Sequence, residues 1–282
     1  LGVLLANSGK QVVLIDLDLD GANLHLYMNR VKPHRCLDDF LRGRTNRLED
    51  AAITTPYGPR LIAGSSQGLG LRQVTFTQKI NIIKAISRIK ADYVIMDLGG
   101  NTSFNTLDFF NSANYGIVVT TCDPAAYLEA INFTCAAFYR YMLRVFSNES
   151  PWQLRKQDDL EDLIHLIFNH GRGPNRRPMW PLVQKVKTEQ PHNLQLLRDI
   201  VGGFNVNLAI NAATEGDAAR EIAAHVCRAS RKILFAHMNY LGHLDYSEAI
   251  ASSARSFVPA VRTDPAGEIT RTIKRMLSRL DV

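Results

Sequence analysis

The hydrophobic pattern along the chain is dominated by short unbroken apolar runs rather than by alternation. Gln11 to Asp16 (QVVLID), Asp92 to Asp97 (DYVIMD) and Gly116 to Thr121 (GIVVTT) each read as a strand buried on both faces. Such strands belong to parallel sheets covered by helices. Arg60 to Ala63 is a further short strand, and Asn205 to Ile210 and Asn239 to Leu244 continue the series late in the chain. Between the strands the period changes. Thr77 to Ile89 places Ile80, Ile83, Ile86 and Ile89 near one helical face, and Ala125 to Val145 predicts a long helix with an aromatic stripe through Phe133, Ala137 and Tyr141. Leu1 to Ser8 reads as the end of a helix stopped by Gly9, and Arg35 to Arg42 as a short helix closed by Gly43. Helices are also expected at Gly216 to Arg228 and Gly267 to Leu280.

Strands alternating with helices predict an α/β fold with a doubly wound, mostly parallel sheet flanked by helices. The α/β pattern is interrupted over residues 147–204, which hold both tryptophans and a Gly/Pro/Arg-rich loop, GRGPNRRP (171–178). This stretch reads as a mostly helical insertion in a single domain spanning 1–282. There is no internal repeat.

Composition adds exclusions. The chain has 282 residues, 46% apolar and 21% charged, and no apolar run approaches the length of roughly 20 residues that spans a bilayer. Leu1 to Ala6 is apolar but short, and Gly9-Lys10 follows where a leader would need a cleavage site. Four scattered cysteines without a CxxC fit a reducing, cytoplasmic setting and argue against a structural zinc or iron–sulfur site. A net charge of +6 admits nucleic acid or anionic lipid as partner, although a solvated surface explains it as well.

The chemistry sits where strands end. Asp16 closes the first buried strand within VLIDLDLDGANL, and Asp97 closes another within YVIMDLGGN. In open α/β sheets, ligands bind outside the carboxyl ends of strands, so both carboxylates are expected at one crevice. Mg²⁺ beside a nucleotide needs one or two carboxylates and keeps its waters. An aspartate at a strand end also serves simply to cap a following helix. Two such strands, each followed by a further acid or glycine, favour the metal reading. Gly99 and Gly100 would let the backbone approach a terminal phosphate.

These segments resemble MinD/ParA-type ATPases. LLANSGKQVVLIDLDLDGANLH is similar to the segment after the phosphate-binding loop, with its strand ending in D-x-D. DLGGNTSFNTLDFFNSA resembles the Walker B and switch II segment, VVTTCDPAAYLEAINF the following strand and helix, and HMNYLGHLDYSEAI a late element of the family. The resemblance covers roughly residues 1–145 and 205–282, and within the family it leans towards flagellar-number regulators of the FlhG type and related MinD-like proteins. It implies ATP hydrolysis with ATP/ADP and Mg²⁺ as cofactors. Asp18 would orient the attacking water, Asp16 and Asp97 would serve the metal, Gly100 would meet the γ-phosphate, and Asn23 lies in the first switch. Asn211 would bind adenine. Its alternative is an N-cap of the next helix, and Asn169 is a rival for the base. The resemblance further implies an ATP-dependent homodimer with a protein activator or cargo, at the membrane surface or on DNA, in the cytoplasm or peripheral to the inner face of the membrane.

Two departures stand out. Asp20 occupies a position where the family usually has glycine, and no G-x-x-x-x-G-K-[ST] occurs in the sequence. The expectation is therefore a chain lacking its first strand and phosphate-binding loop, inactive as given. That strand belongs between those ending at Asp97 and Thr121, which should consequently not pair. The rival readings are a ParA-type DNA partition ATPase, a non-catalytic scaffold and, disfavoured by the missing CxxC, a reductase or iron–sulfur carrier. For the last helix, EITRTIKRMLSRL, core packing is favoured over membrane binding. For Arg172, Arg176 and Arg177, binding of DNA phosphates, a solvated loop and a protein-docking site all stand.

Overall fold

The computed structural model describes residues 1–64, 74–145 and 178–280. The expectations placed on Trp152, Asn169, the 171–177 arginine loop and most of the GSSQGLG turn lie outside the described residues. The described chain divides into two compact units, residues 1–109 with 247–282, and residues 110–246.

The first unit holds helix α1 (Gly2–Asn7), strand β1 (Val12–Asp16), short helices α2 (Leu24–Tyr27) and α3 (Leu37–Leu41), strands β2 (Ile53–Thr54) and β3 (Arg60–Ile62), helix α4 (Phe76–Ile86), strand β4 (Tyr93–Asp97) and helix α5 (Phe104–Phe110). Its sheet has the order β2-β3-β1-β4, parallel except for the β2–β3 pair. The apolar run of β1 is divided between the two faces of this sheet, because successive side chains of a strand point to opposite sides. Val12 and Leu14 pack with Val3, Leu4, Leu5 and Leu61 on one side. Val13 and Ile15 pack with Leu37, Ile62, Ile82 and Phe109 on the other. All five residues of β1 are buried, as the unbroken run requires.

The second unit holds β5 (Gly116–Thr120), the long helix α6 (Pro124–Val145), α7 (Trp180–Glu189), α8 (Leu194–Gly202), β6 (Val206–Ala213), α9 (Gly216–Leu234) and β7 (Met238–Asp245). Its three strands run parallel in the order β5-β6-β7. Asp123 starts α6 by accepting the amides of Ala125 (2.8 Å) and Ala126 (3.3 Å), and Pro124 occupies the first turn, where its missing N–H costs nothing. The aromatic stripe of α6 is core. Phe133 meets Phe110 edge-on at 5.1 Å, Tyr141 lies against Phe204, and Ala137 is fully buried. The described part of the expected insertion, from residue 178 on, is helical.

The α/β fold with parallel sheets flanked by helices is thus observed. Among the described residues β4 pairs only with β1, and β5 only with β6, so the strands ending at Asp97 and Thr120 are not neighbours in one ladder. No described helix is long and apolar enough to cross a membrane. The chain returns to the first unit with α10 (Glu248–Arg255), α11 (Ala260–Thr263) and α12 (Glu268–Ser278). In α12 the apolar face is consumed by packing, since Leu277 and Ile273 join the cluster around Leu4 and Leu14.

One helix face differs from the sequence reading. The expected isoleucine stripe of α4 is centred instead on Ile82, fully buried, with Ile83, Ile86 and Ile89 packed beside it and Lys79 on the same face. Lys79 is buried because its Nζ meets Asp108 of α5 at 2.5 Å, with the two side chains only 4% and 3% exposed. A buried pair is costly to break one-sidedly, because the survivor loses its counter-charge in low dielectric. Lys79→Met should therefore lower the unfolding free energy by about 3 kcal/mol, and Lys79→Met/Asp108→Leu should recover most of that loss. Urea unfolding of the three proteins checks this. A double variant no more stable than the single one would contradict it.

Candidate functional site at the carboxyl ends of β1 and β4

β1 and β4 pair in parallel from Val12↔Tyr93 to Asp16↔Asp97, so the two terminal aspartates face each other across the ladder. The chain then continues the pairing for one more bond, Leu17 N–H to the Asp97 carbonyl at 2.8 Å. Beyond that point each strand opens into a loop, 17–23 after β1 and 98–103 after β4.

Asp16 is completely buried. Its Oδ1 accepts the amide of Asp18 (3.2 Å), and its Oδ2 accepts the amide of Leu24 (3.0 Å), which closes the 17–23 loop onto its own root. Gly64, just after β3, lies against this carboxylate. A Cβ there would come within 2.5 Å of the Ala22 methyl and 3.1 Å of the Asp16 carboxyl carbon, so only glycine fits. Burial pushes the Asp16 carboxyl up to about 6. The charges of Asp97 and Asp18 add to the rise, while the Leu24 and Asp18 amides oppose it.

Asp18 is half-buried at the crest of the loop. Its Oδ1 accepts the amides of Asp20 (3.2 Å) and Gly21 (3.1 Å). Gly99 packs directly on this group, and a Cβ at Gly99 would lie 2.8 Å from Asp18 Oδ1. A Cβ at Gly100 would meet nothing within 4 Å, so packing demands glycine at the first of the pair and not at the second. Asp97 keeps an open face to solvent, yet its carboxyl is raised by partial desolvation and by the charge of Asp18.

The structure therefore brings Asp16, Asp18, Asp97 and Gly99 together, with Gly100 on the adjoining loop. Asn23 is exposed at the N-cap position of α2 and makes no capping bond with its side chain. Asn211 lies in the second unit, exposed on β6, where the pairing with β7 shifts register between Ile210 and Ala213. Its alternative role is excluded, because the N-cap of α9 is Glu215 and not Asn211. Asn101, which the sequence reading did not single out, belongs to the site. Its Oδ1 accepts from Ser103 N–H (3.0 Å) and Thr106 Oγ1 (2.8 Å), and its Nδ2 donates to Asp20 Oδ2 (3.4 Å). The signal was available in the sequence, since Asn-x-Ser after a Gly-Gly pair is the pattern of a side-chain-stabilised turn.

Among the described residues, no group of three or more His, Cys, Asp or Glu side chains is disposed to hold a metal ion by itself. The donors present suit a cation that takes few protein ligands and retains water, as Mg²⁺ does. Asp97 and Asp18 are the accessible carboxylates. Asp16 already spends one lone pair of each oxygen on the loop, so its first task is to shape that loop. Burial raises the Asp16 and Asp97 carboxyls and the charges of neighbouring aspartates raise them further, and a bound cation would relieve that second effect.

No protein-family model matches the sequence. Over 132 residues the chain is 26% identical to the antiactivator FleN of Pseudomonas aeruginosa, a match covering 46% of each protein. Over 133 residues it is 26% identical to the flagellum site-determining protein YlxH of Helicobacter pylori, covering 45% of this chain and 43% of that one. The matched stretch thus spans about half the length of these curated relatives. The septum site-determining protein MinD from Pyrococcus horikoshii, solved with Mg-ADP, superposes with a TM-score of 0.62 at 16% identity, covering 99% of this chain and 87% of that one. The fold is that of the MinD/ParA-type ATPases.

The raised Asp16 pKa has a consequence for stability. A carboxyl that binds its proton more tightly when folded contributes stability that is complete below its unfolded pKa, about 4, and is lost as pH rises through about 6. Between these limits the loss is on the order of 3 kcal/mol. Asp16→Asn leaves one loop amide without an acceptor at every pH but removes this slope. Urea midpoints measured from acid to neutral pH should therefore fall more steeply for the wild type than for the variant. Parallel profiles would contradict the assignment.

Proposed function

We propose that this chain is the nucleotide-switch portion of a MinD/ParA-type ATPase that positions or counts a cellular structure, with polar flagella the leading case. The observation that carries the reading is the in-register pairing of Asp16 with Asp97, which sets Asp18 on a braced loop beside an accessible carboxylate. The likeness to FleN and YlxH supports the flagellar direction, and the MinD-like fold supports nucleotide binding.

In this reading each residue has a physical task. Asp97 holds Mg²⁺ through water, with its open face towards the ligand. Asp18 accepts a hydrogen bond from the attacking water and orients it, as a positioned carboxylate does in phosphoryl transfer. Asp16 keeps the loop closed so that Asp18 does not wander. Gly99 lets the second loop approach Asp18, and Gly100, whose Cβ position is open, offers its N–H to a terminal phosphate. Asn23, at the start of α2, lies in the first switch, and Asn211 offers its amide to adenine. When bound, Mg²⁺ supplies charge neutralisation at the transferring phosphoryl group.

The 17–23 loop is held by carboxylate-to-amide bonds rather than by a ladder, and those of Asp18 are exposed, which suits a segment that changes partners when a nucleotide binds or leaves. An ATP-dependent homodimer, with a separate protein stimulating hydrolysis, follows from the same reading. The sequence contains no G-x-x-x-x-G-K-[ST].

The test is Mg²⁺-dependent ATP hydrolysis by the chain and by a version extended with the coding sequence upstream of Leu1. Asp18→Ala should lower kcat by about 100-fold or more with little change in fold, as loss of a positioned acid–base group does. Asp97→Asn should shift the Mg²⁺ dependence to higher concentration. Failure of the extended wild-type protein to bind or hydrolyse ATP would replace this reading with that of a non-catalytic scaffold.

A further inference from the structure

The acid that departs from the family pattern, Asp20, neither crowds the site nor simply faces solvent. It is the acceptor of a bond from Asn101. The direction of that bond is fixed by chemistry. Ser103 N–H can only donate, so the atom of the Asn101 amide facing it at 3.0 Å must be the carbonyl oxygen. Thr106 Oγ1, on a buried residue in the first turn of α5, donates to the same oxygen at 2.8 Å. The amide nitrogen is thereby turned towards the 17–23 loop, 3.4 Å from Asp20 Oδ2. It lies beside Gly99, where a Cβ would meet Asp18 Oδ1 at 2.8 Å and Asn101 Nδ2 at 3.3 Å.

Asp18 is thus bracketed. On one side Leu17 N–H is bonded to the Asp97 carbonyl, and on the other Asp20 is bonded to Asn101. Both anchors lie on the segment that carries Asp97. Without the second anchor, the carboxylates of Asp16, Asp18 and Asp20 repel that of Asp97, and among the described residues only the Leu17 bond holds the loop to the segment carrying Asp97. A neutral amide supplies attraction without adding an ion.

We propose that Asp20 and Asn101 form a releasable latch that sets where Asp18 stands relative to Asp97, with Asn101 as the positioning residue. Its role in hydrolysis rests on the function proposed above, but the latch itself does not. The contact is long and exposed, so a cation or a phosphate oxygen competing for either partner opens it. Asn101 is anchored through Thr106 to α5, and α5 is tied to α4 by the buried Lys79–Asp108 pair. The fixed side of the latch is therefore the 98–103 loop, and the moving side is 17–23.

The polarity of the bond allows a swap. Asn101→Asp keeps acceptors for Ser103 and Thr106 but sets a carboxylate against Asp20. Asp20→Asn leaves Asn101 a carbonyl to donate to. Asp20→Asn/Asn101→Asp restores the bond with donor and acceptor exchanged. The experiment is amide hydrogen exchange on the nucleotide-free chain, read at Gly21 and Leu24, whose N–H groups are held by Asp18 and Asp16. The amide of Leu107 in α5, bonded to the Ser103 carbonyl, serves as the control.

Asn101→Asp should speed exchange at Gly21 and Leu24 by about tenfold, with Leu107 unchanged, while wild type, Asp20→Asn and the swapped double variant agree within about threefold. A residue that merely shaped its own loop would not be rescued by a change at Asp20. The proposal is overturned if Asn101→Asp exchanges like wild type, or if the double variant is as open as Asn101→Asp alone. Lack of ATP turnover in every protein, wild type included, would count against the hydrolase reading and leave the exchange result to decide the latch.

Discussion

The parallel register between β1 and β4 is the constraint on which the site depends. It sets Asp16 opposite Asp97, and the Leu17–Asp97 bond then carries the ladder one step past the carboxylates before the loops diverge. A one-residue slip of either strand would send its carboxylate to the other face of the sheet, away from its partner. Such a slip is opposed by burial on both faces, because Val12 and Leu14 have partners on one side and Val13 and Ile15 on the other. The core therefore fixes the position of the charged groups through the strand register.

Those charged groups are held against their own repulsion. Asp16 is buried with its pKa raised, and Asp97 is raised in the same direction by its surroundings. The compensation is backbone amides. Asp16 takes those of Asp18 and Leu24, and Asp18 takes those of Asp20 and Gly21, so four N–H groups of a loop with no ladder of its own are satisfied by two carboxylates. The loop is shaped by the acids it carries. This arrangement leaves the accessible oxygens of Asp18 and Asp97 in a crowded negative field, and a hard cation with few protein ligands would settle it.

Much of this was legible in the chain. An apolar run with no alternation, ending in acid, identifies a doubly buried strand and places its aspartate at a carboxyl edge, and that reasoning located both Asp16 and Asp97. Other features depend on contacts between distant residues, and no local pattern encodes them. Lys79 interrupts the apolar face of α4 and reads as a surface residue until Asp108, 29 positions later, is seen to neutralise it. Gly99 and Gly100 look equivalent in sequence, yet only the first is pressed against another side chain. Asp16 was assigned to the metal, but the bond from Leu24, eight residues on, gives it a structural duty as well. The short helices α5, α10 and α11 were not legible because seven, eight and four residues are too few to display a helical period. β6 runs to Ala213, past the expected end at Ile210, through a bulge beside Asn211.

The central claim is that the carboxyl ends of β1 and β4 together make a site for a divalent cation. Titrating the isotopically labelled chain with Mn²⁺ and following paramagnetic broadening of its amide signals tests this directly. The account predicts selective broadening at residues 18–21 and 98–101, reversed by excess Mg²⁺ and lost in Asp97→Asn. Broadening spread over the acidic surface, or unchanged in that variant, would contradict it.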